Sequence, residues 1–61
     1  MAPREILVEY VVHGNAAKAT AIDSVTGLEA SVTGPAGART ALIEAARRKL
    51  DMLARKQNGG S

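Results

Sequence analysis

Few residues in this chain have the means to do chemistry. His13 is the only imidazole. Acid–base or metal-ligand work would need partners for it, and the candidates nearby are too few. Beside Gly14-Asn15 it reads as a solvated hairpin tip. Cysteine is absent, which removes thiolate nucleophiles, disulfides and thiolate-metal sets. Asp23-Ser24-Val25-Thr26-Gly27 gathers a carboxylate and two hydroxyls. No histidine or lysine completes a nucleophile system there, and a calcium loop needs more oxygen ligands at fixed spacing. Turn chemistry explains the run: the Asp23 carboxylate accepts from amides two or three residues on, and Gly27 takes the left-handed position. Thr33-Gly34-Pro35-Ala36-Gly37-Ala38-Arg39 is glycine-containing and precedes a helix, but no Gly-Lys-Ser/Thr follows as in a phosphate loop. It reads as punctuation between sheet and helix. With no acid–base pair, nucleophile system or metal set to assemble, the expectation is a protein that is not an enzyme and needs no cofactor or metal.

Charge is the remaining chemical feature. Residues 1–33 carry Arg4 and Lys18 against Glu5, Glu9, Asp23 and Glu29, a net −2, while residues 34–61 carry the whole basic excess, +4, within the overall +2. Arg39, Arg48, Lys49, Arg55 and Lys56 are the positions a nucleic-acid reading would place on phosphates. Against it, Glu44 stands four residues before Arg48 and Asp51 four before Arg55, the spacing of helix ion pairs. Single-strand binding also wants aromatic platforms, and Tyr10 is the only aromatic residue.

The elements that position these residues follow from periodicity. Residues 4–12 alternate and are β-branched, a first strand. Gly14-Asn15 has the form of a two-residue hairpin turn, residues 16–23 the returning strand, and residues 28–33 a third. Gly34-Pro35 is expected to break the sheet, and residues 36–56 carry a helical pattern. The fold class is α+β: a three-stranded antiparallel β-meander with one C-terminal helix across one face. Residues 1–57 form the domain and 58–61 a flexible tail.

Turn lengths and hydrophobic pattern agree on a register. A two-residue turn pairs Val12 with Ala17, Tyr10 with Ala19 and Val8 with Ala21. A four-residue turn at Ser24–Gly27 pairs Ala21 with Ala30 and Ala19 with Val32. One face then carries Ile6, Val8, Tyr10, Val12, the Ala17/Ala19/Ala21 row, Leu28, Ala30 and Val32, with no formal charge. The helix answers with Leu42, Ile43, Ala46, Leu50 and Leu53 inside one arc. On the opposite face Leu7 and Ile22 are cross-strand neighbours with Val11 further along, and Glu9, Lys18 and Glu29 surround them. One helix cannot cover both faces.

Size sharpens that point. Alanine fills 12 of 61 positions, and neither tryptophan nor phenylalanine occurs, so the core is thin. A marginal monomer favours a homo-oligomer, a dimer above all, with a different protein as the other candidate partner. No apolar run approaches the ~20 residues of a membrane helix and no signal peptide is visible, so a cytoplasmic protein with no membrane partner is expected.

The run VHGNAAKATAIDSVTGLEASVTGP followed by AARRKL resembles a family of small uncharacterised proteins, a domain of unknown function, known mainly from alphaproteobacteria. The positions that carry the resemblance are Gly14, Asn15, Ala19, Ala21, Ile22, Asp23, Thr26, Gly27, Glu29, Gly34, Pro35, Ala46, Lys49 and Leu50. It implies the same β-β-β-α fold and no established activity. The element order also resembles the latter part of double-stranded RNA-binding domains, without their first helix or the lysine pair at the helix start. The function expected is a small non-enzymatic interaction module that self-associates through the uncovered sheet face, with nucleic-acid binding by the basic helix as the alternative.

Overall fold

A computed structural model describes the backbone of residues 5–59 and the side chains of residues 5–56. Strands β1 (Ile6–His13), β2 (Ala16–Asp23) and β3 (Glu29–Pro35) form one antiparallel sheet with β2 in the middle, and helix α1 (Arg39–Gly59) follows. The expected meander and its register are both present. Val8 pairs with Ala21, Tyr10 with Ala19 and Val12 with Ala17; Ala21 pairs with Ala30 and Ala19 with Val32.

Both turns rest on a left-handed glycine. Gly14 has φ 65° and Gly27 φ 80°, and among the described residues no other residue type has positive φ. Positive φ at Gly14 but not at Asn15 makes the first hairpin a type II′ turn, which needs glycine at its first central position. In the second, Asp23 Oδ1 accepts from Val25 N at 2.8 Å and Thr26 N at 3.2 Å. The Gly27 amide donates back to the Asp23 carbonyl at 2.8 Å, closing the loop before Asp23 N donates to Leu28 O at 2.8 Å.

The core is built of small residues. Ala17, Ala19, Ala21 and Ala30 on the sheet, with Leu42, Ala46 and Leu50 on α1, form one buried cluster. Alanines in the central strand let the helix approach closely, and the larger Ile6, Tyr10, Leu28 and Val32 pack around the rim.

Several boundaries differ from expectation, each for a physical reason. Gly34-Pro35 does not break the sheet. Gly34 pairs with Ala17 on the helix side, where an added Cβ would lie 2.7 Å from Leu42 Cδ2 and would oblige that side chain to shift, so glycine suits the close approach. Ala36 N donates to Asn15 O at 2.9 Å, which puts Pro35 between two ladder positions, its missing N–H on the outer edge where nothing is lost. The helix therefore starts at Arg39 and not at 36: Ala38 N first donates to Pro35 O at 3.0 Å, closing a turn, and Leu42 N then donates to Ala38 O at 2.9 Å. At the other end α1 runs to Gly59, into the stretch expected as tail; residues 60–61, like Arg4 at the expected start of the first strand, lie outside the described residues. Val12 has the expected parity but is 54% exposed, because α1 lies over β2 and β3 and reaches β1 only in part.

Candidate interaction face

The pleat sends every second side chain away from the helix, and the register arranges them in rows across the three strands. Leu7, Ile22 and Glu29 form the row at the Ser24–Gly27 end. Glu9, Thr20 and Ser31 form the next, then Val11, Lys18 and Thr33 toward the Gly14-Asn15 hairpin. All six positions singled out from the sequence, Leu7, Glu9, Val11, Lys18, Ile22 and Glu29, thus share one face. Leu7 is 53% and Val11 57% exposed, and Ile22 is half-buried between its neighbours.

The apolar side chains are not one patch. A polar belt separates Leu7 and Ile22 from Val11, and it is internally bonded: Thr20 Oγ1 and Ser31 Oγ are 2.9 Å apart, with Thr20 buried. That closeness is a property of the pair's place in the ladder, where the two residues do not exchange backbone hydrogen bonds and their side chains converge. The hydroxyl pair was not legible as a contact without the rows.

At the hairpin end the face dips into an open depression of about 350 Å³ lined by Val11, His13, Ala16, Ala17, Lys18 and Thr33. Thr33 has the parity of this face, as the alternation of residues 28–33 gives it, whereas sequence reasoning left His13 out. The Gly14-Asn15 turn, which pairs His13 with Ala16, would have supplied it.

The basic residues of α1 are placed differently. Arg55 Nη2 lies 3.1 Å from Asp51 Oδ2, the ion pair expected from spacing. Glu44 forms no such pair with Arg48 among the described residues. Lys49 reaches back to the sheet and donates from Nζ to Ser31 O at 3.1 Å. The Arg39 guanidinium sits over the Tyr10 ring, 5.3 Å from its centroid, and Tyr10 Oη donates to Ala36 O at 2.6 Å. Arg39, Tyr10 and Ala36 together tie the helix start to β1. Arg48 and Lys56 are exposed without ion-pair partners among the described residues.

Among the described residues there is no group of three His, Asp or Glu side chains placed to hold a metal ion. No helix among them is long and apolar enough to cross a membrane.

A family model described as Domain of unknown function (DUF6898) matches residues 3–57. The chain belongs to this family. The DUF6898 match spans all three strands and nearly all of α1, and every position that carried the sequence resemblance falls inside it. No curated protein and no solved structure matches the chain.

Proposed function

We propose that this DUF6898 chain is a small non-enzymatic interaction module that self-associates through the sheet face α1 leaves open. The observation that carries the reading is the exposure of Leu7 and Val11, both more than half accessible, on a face that no element among the described residues covers. A thin alanine core gives the chain reason to bury more apolar surface. The occupant that fits is a second copy, on grounds of charge. Lys18 lies in the Val11 row at one end of the face and Glu29 in the Leu7–Ile22 row at the other. Two faces stacked antiparallel bring each Lys18 toward the Glu29 of the partner subunit, and the two polar belts meet in the middle. Such a contact is isologous and closes at two subunits.

The test is solution mass by light scattering after size exclusion, for the native chain and for Ile22→Lys. Ile22 lies on the central strand, so its replacement alters the face without touching either sheet edge. A drop in mass on Ile22→Lys, with the circular dichroism of the fold retained, supports the reading. An unchanged mass refutes it.

Nucleic-acid binding through Arg39, Arg48, Lys49, Arg55 and Lys56 is the second reading, and it has less support. Arg39, Lys49 and Arg55 are each engaged by groups of the chain itself. It predicts a labelled duplex or single strand bound at low salt and released as salt rises.

A further inference from the structure

The two outer strands of the sheet are not equivalent. In an antiparallel ladder every second residue turns its N–H and C=O outward. On β3 the ladder bonds at Asp23–Leu28 and Asn15–Ala36 fix the outward residues as Glu29, Ser31, Thr33 and Pro35. That edge is blunted. Pro35 has no N–H to offer, its carbonyl accepts from Ala38 N, and the Ser31 carbonyl accepts from Lys49 Nζ. On β1 the bond from Ser24 N to Glu5 O at 3.0 Å fixes the outward residues as Ile6, Val8, Tyr10 and Val12. Among the described residues nothing caps these four, and β1 contains no proline, lysine or arginine. Leu7, Val11 and Val12, all more than half exposed, lie on this same strand.

We infer that β1 is a pairing edge, and that its occupant is β1 of a second copy running antiparallel, so that two chains share one continuous sheet. The argument for a second copy is that the strand complements itself. Centred on Glu9, the pairing sets Ile6 opposite Val12 of the partner subunit and Val8 opposite Tyr10 of the partner subunit. These are the outward residues, so the N–H and C=O of all four find partners in a single register. On the open face Leu7 meets Val11 of the partner subunit. The exposed apolar side chains of the strand are all satisfied by the same sequence read backwards, and the one mismatch is Glu9 against its own copy at the two-fold axis. The pairing uses groups in the plane of the sheet and leaves the open face free, so it stands independently of face stacking. It also sets the Leu7–Ile22 end of one open face beside the Val11 end of the next.

The discriminating observable is amide hydrogen exchange by NMR across a concentration series, read at Ile6, Val8, Tyr10 and Val12. In an isolated chain these amides face water and exchange fast; face stacking alone leaves them so. Paired edges give protection that rises with concentration, while the outward Glu29 and Thr33 amides of β3 stay fast. Val12→Pro deletes one outward N–H and no ladder bond, at a half-exposed side chain. It should weaken association roughly tenfold or more, from lost inter-strand bonds on both copies. Thr33→Pro, the equivalent change on β3, should leave the concentration-dependent protection of the four β1 amides unchanged. Glu9→Gln should tighten it about twofold or more by removing the like-charge contact. Fast exchange at the four β1 amides at every concentration overturns the pairing. If the protein is nevertheless dimeric in that case, face stacking survives and the edge does not.

Discussion

Gly34→Ala tests the closest approach of helix to sheet. The added Cβ would lie 2.7 Å from Leu42 Cδ2, 3.5 Å from Cγ and 3.6 Å from Cδ1. Carbon atoms in good contact sit about 3.5–4.0 Å apart, so the Leu42 methyl must retreat by about 1 Å. It has little room, since Leu42 is only 8% exposed and packs in the alanine cluster. Overpacking of this kind costs about 1–3 kcal/mol. Alanine recovers about 0.4–1 kcal/mol through a less flexible unfolded chain. The net expectation is a loss of up to about 2.5 kcal/mol, from a total of roughly 3–9 kcal/mol for a domain of this length. Urea unfolding at one fixed protein concentration reads it as a midpoint lowered by up to about 2.5 M at unchanged slope, taking a slope near 1 kcal/mol/M. Leu42→Val supplies the control by removing the offending methyl. In that background Gly34→Ala should cost at least about 1 kcal/mol less, a coupling of the size expected for contacting residues. Equal costs in both backgrounds would refute the close-approach account.

Other substitutions probe the turns and the helix anchor. Gly14→Ala and Gly27→Ala each force a side chain into the left-handed region and should cost about 1–2 kcal/mol in the same unfolding assay. Asn15→Ser, where φ is not positive, should change stability by less than about 0.5 kcal/mol. Asp23→Ala strips the acceptor from the Val25 and Thr26 amides and should cost about 1–3 kcal/mol, with the Ser24–Gly27 amides losing exchange protection first. Tyr10→Phe leaves the Ala36 carbonyl without its hydroxyl donor and should cost about 1 kcal/mol, read as a lower thermal midpoint.

Much of the fold was legible because two independent signals had to agree. The Gly14-Asn15 and Ser24–Gly27 turns set the parity of three strands, and that parity put Ala17, Ala19, Ala21 and Ala30 on one face and Leu7, Val11 and Ile22 on the other. A slip of one residue would have exposed the whole core set. What was not legible depends on where the helix lies. Val12 has core parity, yet its exposure is decided by α1 sitting over β2 and β3. Gly34-Pro35 carries the composition of a break, and only the nearness of Leu42 and the ladder position of Pro35 make it strand. Lys49 and Arg39 both read as phosphate candidates. Their contacts with Ser31 and Tyr10 are long-range and have no local sequence signal. The cap that Lys49 places on the β3 edge has no sequence signal for the same reason, since it comes from α1.

Self-association through the open face is tested most directly by the solution mass of the native chain beside Ile22→Lys, measured over a concentration series at low and high salt. The account predicts a native species of at least twice the 6.3 kDa chain mass, persisting at high salt, and a smaller species for Ile22→Lys. A native chain that stays at 6.3 kDa throughout, or an Ile22→Lys protein of undiminished mass, contradicts it.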